Sequence, residues 1–345
     1  MQHFRHAITI ATIALLTAAS LLITIPVAAS GDKIISFDPP GGTETQPAAI
    51  NASGTVVGRY QDSNGDGIQP GFIRDTSGNF TALHAPVSGT TQTVAVWLND
   101  AGQITGWYGN GIGVHGFLRD AGGNYTSFDP PGSDRTMPQS NNNAGQISGV
   151  YTTSTTDMDV AFLRDPAGSF TTFGGPGSCG DSVLNAMLSA SGEIAGTCYY
   201  NNGTYTYFIR SSSGILTEYA DPFGGTVIFV SAISDRNVLV GSYVDATGLA
   251  HGFWRGDSGV HSFDYPGAMF TTPTGINVAG TITGYYSGAD GIRHGFVRDQ
   301  LGNFTSFDDP NAGSQGTTPA AINRSGQITG QFTSRADIDH GFLRY

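Results

Sequence analysis

Beyond about residue 33 the chain alternates apolar and polar residues in short runs. Each run is closed by Gly, Asn, Asp or Ser, the period of half-buried strands rather than of helices. In the stretch Pro273–Phe307 the pattern predicts four strands: Pro273–Ile276 (a), Thr281–Tyr286 (b), His294–Arg298 (c) and Phe304–Phe307 (d). Turn signals every 8 to 12 residues favour an antiparallel meander.

The same pattern recurs along the chain. Phe-x-Arg occurs at Phe72, Phe117, Phe162, Phe208, Phe253, Phe296 and Phe342, at intervals of 45, 45, 46, 45, 43 and 46 residues. Upstream of each lies Asn-x-x-Gly or a close variant, beginning at Asn51, Asn99, Asn142, Ser189, Ser234, Asn277 and Asn323. Asn or Ser opens a turn by bonding its own backbone, and the fourth residue must take φ > 0, which Gly adopts freely. The one exception at that fourth place is Asn237, the common non-Gly residue best suited to that conformation. A four-strand period of about 45 residues is the signature of a propeller blade. The expectation is therefore an all-β, seven-bladed β-propeller of four-stranded antiparallel blades. Ile34–Asp38 reads as a strand d without a, b and c before it, and Phe342–Tyr345 as a strand c without a d after it. Pairing residues 34–38 with 341–345 would complete one blade and remove two open sheet edges.

The wider pattern, Ile-Asn-x-x-Gly-Gln-Ile-x-Gly-Tyr-Tyr with His-Gly-Phe at His115, His251, His294 and His340, resembles the bacterial extracellular repeat proteins of the HAF family. The resemblance runs over roughly residues 33 to 345 and implies export and a repeat fold, with no activity to carry over. Three copies depart, with Pro70, Val160-Ala161 and Thr206-Tyr207 at the His-Gly positions.

Composition narrows the function classes. The chain holds 27 acidic and 15 basic residues, a net charge of −12, and no run of Lys or Arg. Phosphate backbones would be repelled, so nucleic acid is not an expected partner. Residues 1–29 read as a secretory signal peptide: Arg5 near the start, an apolar stretch from Ala7 to Ile25, and small residues before a cut after Ala29. An uncleaved anchor is the alternative, because 19 residues approach the length that spans a bilayer. Residues 30–345 then form one domain, expected to be a monomer with no membrane span after cleavage and a periplasmic or extracellular location.

Candidate chemistry is sparse. Asp62-Ser-Asn64-Gly-Asp66-Gly matches the front half of a calcium loop, with oxygens at alternate positions and Gly permitting the bend. Ile73 stands where the bidentate Glu of an EF-hand would be, so Ca²⁺ held by Asp62, Asn64 and Asp66 competes with a plain polar turn. Cys179 and Cys198 are the only cysteines, and an even pair in an exported chain reads as a disulfide, with free buried thiols the alternative. Catalysis should show as residues that break the repeat: His84, Trp97, Trp107, Glu193, Glu218 and Asp221. None forms a nucleophile elbow or a carboxylate pair by spacing. Trp97 stands where the other copies carry Ala, Ser, Met or Gly, so it either fills space or offers an aromatic platform, the role expected of Trp107 on the ligand face. The repeated histidines read as structural, and the repeated arginines as partners in ion pairs with the aspartates that follow them or lie across a hairpin. The expected function is binding of a glycan, peptide or partner protein through the d–a and b–c loops. The alternatives are a secreted polysaccharide hydrolase or lyase and a purely structural surface component.

Overall fold

The computed structural model describes residues 33–63, 67–153, 158–175 and 178–345. Residues 1–29, read above as a signal peptide, lie outside them. The described residues form strands and turns with no helix. The strands fold into successive antiparallel meanders of four. The first unit consists of Gln46–Ile50, Val56–Arg59, Gly71–Arg74 and Phe80–Leu83 (strands a to d). The order repeats unit by unit to Phe304–Phe307. In the last, Ala312–Ile322, Ile328–Ser334 and Asp339–Arg344 take Ile34–Phe37 as their fourth strand, with Ile34 opposite Arg344 and Phe37 opposite Gly341. Single parallel bridges, such as Ala250 with Phe270, tie some neighbouring units together at the loop end.

Two sequence signals have clear structural causes. The a–b turn is closed by its own Asn: the Gly54 amide donates to the Asn51 carbonyl, and Thr55 N donates to Asn51 Oδ1 at 3.0 Å. Asn237 takes φ 58°, as the fourth turn position requires. The glycine in the middle of strand b answers a different need. Strand a carries a bulge, between Ala95 and Trp97 for example. This leaves the carbonyl of Val94 so close to Gly106 that any Cβ there would collide with it.

The core lies between units rather than within them. Ala49, Val57 and Leu83 of the first unit pack with Ala95, Leu98, Ile104, Tyr108 and Phe117 of the second. Phe37 and Leu343 pack with Ile50, Val56, Tyr60 and Phe72 of the first unit in the same way. A single meander has no partner for its apolar face, so burial and the hydrophobic stabilisation that goes with it come only on stacking.

The arginines modify the sequence reading: their guanidiniums lie on aromatic rings, while Asp165 and Asp299 still act on Arg164 and Arg298 through their charge. Arg74 lies over Phe37 (5.0 Å), Arg164 over Phe128 (5.0 Å), Arg210 over Phe173 (4.8 Å), Arg298 over Phe263 (4.9 Å) and Arg344 over Phe307 (4.8 Å), each reaching from strand c of one unit to strand d of its predecessor. Arg255 does the same over Tyr219 at 3.8 Å. Arg119 faces Leu83 at the equivalent place and settles over its own unit's Tyr125. Antiparallel pairing is the reason. Arg ends strand c beside the start of strand d, whereas the aspartate follows the end of strand d and so comes level with the start of strand c, where the histidine stands. The aspartates after Arg serve the c–d turn: Asp75 Oδ1 accepts from the Ser77 and Asn79 amides, and Asp299 Oδ1 from Leu301 and Asn303. Burial pulls the Arg164, Arg210 and Arg298 guanidiniums below their usual value. A buried planar cation on a ring face is held by both packing and charge. Arg298→Lys is therefore not conservative. It is expected to lower stability by about 1–2 kcal/mol, the range of a desolvated cation–π contact, read as a lower denaturant midpoint at unchanged m-value.

Candidate functional site

Antiparallel meanders place the d–a and b–c loops at one end of every unit and the a–b and c–d turns at the other. At the loop end, each histidine that opens strand c bonds the aspartate that follows strand d. His115 Nδ1 meets Asp129 at 2.8 Å, His294 meets Asp308 at 2.8 Å, and His340 meets Asp38 at 2.7 Å across the join between Ile34–Phe37 and Asp339–Arg344. His251 Nδ1 meets Asp264 at 2.9 Å, and its Nε2 lies 3.3 Å from Asp245. The rings lie against the strand-b aromatics Tyr108, Tyr243, Tyr286 and Phe332. One pair in each of four units, each built the same way, is a fastening device rather than a convergent site.

His251 carries a pH signature. Burial alone would depress its pKa, but the bonds to Asp264 and Asp245 outweigh burial and the net shift is upward. A group raised on folding stabilises fully below its unfolded value, about 6.5, and loses that contribution as pH rises through the folded value. Asp245 is held low by Thr247, Leu249 and His251, so its contribution is present above about 3.8 and lost as pH falls. The melting temperature of the wild type should therefore fall as pH rises past neutrality. His251→Gln should flatten that fall and converge on the wild type at alkaline pH.

The loop end of the first unit is unlike the others. Arg59 Nε donates to Gln46 Oε1 at 2.9 Å, and Gln46 Nε2 donates to Asp339 Oδ2 at 3.2 Å. Asp339 also accepts from Gln331 (2.8 Å) and Thr333 (2.7 Å), while its own amide donates to Glu44 Oε2 at 3.3 Å. On the other side Gln92 donates to Gln69 at 2.6 Å. A cavity of about 260 Å³ opens among Glu44, Gln46, Arg59, Tyr60, Gln61 and Gln69. Burial and then the charge of Asp62 push the Tyr60 hydroxyl upward, so it stays protonated. Three consecutive units thus supply planar donors and acceptors, amides, carboxylates and a guanidinium, to one half-buried spot.

The residues singled out from sequence are scattered. Trp97 lines a different cavity, at the a–b turn end, and packs against the core of the first two units. Trp107, two residues past the partner of Trp97 on strand b, is half-buried opposite Val94. Asp62 bridges Gly42, and Asn64 and Asp66 lie outside the described residues. Glu218 accepts from Tyr200 at 2.6 Å and from Thr206, in a unit without the histidine. Burial, partly opposed by Arg255, raises the Glu193 carboxyl. Cys179 and Cys198 form a disulfide, Cα–Cα 5.6 Å, buried between units. Among the described residues no group of three His, Cys, Asp or Glu is placed to hold a metal, and no helix is long and apolar enough to cross a membrane.

No protein-family model matches the chain, and neither does any curated protein. Solved structures do resemble it. A streptogramin B lyase superposes over 91% of this chain and 98% of its own, with a TM-score of 0.58 at 15% identity. The β-propeller domain of the trilobed protease from Pyrococcus furiosus covers 88% of this chain and 95% of its own, with a TM-score of 0.64 at 7% identity. The fold is a β-propeller. A puromycin hydrolase matches as well, over 85% of this chain but 51% of its own, with a TM-score of 0.60 at 15% identity. At these identities the likeness speaks to fold alone.

Sequence reasoning missed the first-unit network, although a signal was present. The position after the strand-b glycine holds Arg59 and Gln331 where the other five units carry Trp107, Val150, Thr197, Ser242 and Tyr285.

Proposed function

We propose that this chain is an exported, seven-bladed β-propeller of HAF-type repeats that binds a glycan at the loop end of its first blade. The pairing of Ile34–Phe37 with Gly341–Arg344 supports a ring shut between first and last strands. The observation that carries the binding reading is the cluster of Glu44, Gln46, Arg59 and Gln69 around the 260 Å³ cavity, with Asp339 bonded to Gln46 behind it. Planar side chains that both donate and accept suit neighbouring hydroxyls, and loops on a rigid scaffold hold them in place. A Ca²⁺ ion at Asp62, Asn64 and Asp66 would sit in the adjoining b–c loop and order it.

The test is a glycan-array screen followed by calorimetric titration of the best hit. Arg59→Ala and Gln46→Ala should each weaken binding at least about tenfold, or about 1.4 kcal/mol, with little change in melting temperature. If no glycan binds, or if both variants bind as the wild type does, the assignment is wrong.

A second reading is a secreted polysaccharide lyase or hydrolase, for which the streptogramin B lyase supplies only a precedent of a lyase on a similar fold. Turnover of cell-wall polysaccharide by the purified chain, lost in Glu44→Gln or Asp339→Asn, would replace binding with catalysis.

A further inference from the structure

Between the fifth and sixth meanders, at the end that carries the a–b and c–d turns, a cavity of about 210 Å³ opens. Three of the residues lining it break the repeat, and all three come from the fifth unit. Trp254 stands within Phe-x-Arg where the other units carry Ile, Leu or Val. Val238, just after the a–b turn, stands where they carry Thr, Gln or Glu, and Arg236, within that turn, where they carry Ser or Ala. The sixth unit supplies Val278, Ile282 and Arg298. His261, directly opposite on strand d, stacks on the Trp254 indole at 4.3 Å without lining the cavity, which fixes the ring.

Apolar walls and two guanidiniums call for one kind of ligand. Arg236 is exposed, and its side chain forms no hydrogen bond or ion pair among the described residues. Arg298 makes one long bond, Nη1 to the Asp299 carbonyl at 3.5 Å, and burial penalises its charge, so an anion beside it is favoured. The neighbouring acids are engaged elsewhere: Asp235 lies 3.7 Å from Arg324, and Asp299 accepts from the Leu301 and Asn303 amides. The uncharged polar side chains of the lining are engaged too. Ser234 Oγ accepts from the Arg236 and Val238 amides, and Gln300 donates to the Ala279 carbonyl. An apolar cavity of roughly 150 Å³ holds a benzene ring, so 210 Å³ accommodates a ring with a carboxyl group. We propose that this cavity binds a small aromatic carboxylate, with the ring against Trp254, Val238 and Val278 and the carboxylate on the Arg236 and Arg298 guanidiniums. The net charge of −12 opposes an anion only at range, where salt screens it beyond roughly 8 Å. The site lies at the other end of the fold from the proposed glycan cavity and does not depend on it.

The full chain is titrated by calorimetry with benzoate, with benzamide as its uncharged isostere and with acetate as the carboxylate without a ring. Benzoate should bind saturably, and benzamide and acetate at least about tenfold more weakly. Arg236→Ser, Val238→Gln and Trp254→Leu each restore a residue that sister units carry at the same place, so all three should fold. Each should weaken benzoate binding at least about tenfold, and Arg236→Ser should leave the melting temperature where it is because that side chain is exposed. Benzoate should also change the tryptophan fluorescence of the wild type but not of Trp254→Leu, which keeps Trp97 and Trp107. Any of three results overturns the proposal: no saturable binding of benzoate, benzamide or acetate binding as well as benzoate does, or undiminished benzoate binding in Arg236→Ser. A fluorescence change that persists in Trp254→Leu would place the ligand elsewhere and overturn it as well.

Discussion

A chain lacking residues 33–40 is expected to melt about 10 °C or more below the full domain, or to give no soluble protein. These residues supply the fourth strand beside Asp339–Arg344. They also supply Phe37, 8% exposed and packed edge-on to Phe72, and the ring under Arg74. Asp38 and Ser36 add the bonds to His340 and Asp309. Truncating a buried Phe to Ala alone costs about 3–5 kcal/mol. At about 2–4 °C per kcal/mol for a large domain, that gives the stated shift before the open strand edge is considered. Phe37→Ala should show most of the loss while leaving the strand in place. Differential scanning calorimetry of the two variants separates side-chain packing from edge pairing, and unchanged melting of the deletion would sink the closed-ring proposal.

The second large effect belongs to the disulfide. Cys179 and Cys198 are 1% and 0% exposed and close a loop with a sequence separation of 19 residues. Chain-entropy estimates for such a loop give about 3 kcal/mol. Replacing both cysteines by alanine should cost that much, plus a smaller packing loss against Val183 and Phe208. Reductant should lower the wild-type melting temperature and leave the double variant where it is. The intact mass should not change on alkylation without reductant; two added alkyl groups would mean free thiols.

Much of the fold could be read from residues that must obey backbone geometry. The Asn-x-x-Gly turn, the substitution of Asn237 and the cysteine pair all rest on local conformation or register, which one sequence exposes. Side-chain partners across units were not readable in the same way. Arg298 could be set beside Asp299 on paper, yet its guanidinium ends over Phe263, thirty-five residues away, because stacking decides which face a strand end meets. The site at Gln46, Arg59 and Asp339 joins residues nearly 300 positions apart, and only the pairing of the first and last strands brings them together.

The arginine contacts between units have a direction. Each runs from a later strand c to an earlier strand d, as Arg164 does to Phe128 and Arg344 to Phe307. A chain emerging amino-terminus first therefore always presents the ring before the cation that will cover it. Every new meander but the second, whose predecessor ends in Leu83, finds a finished aromatic acceptor waiting.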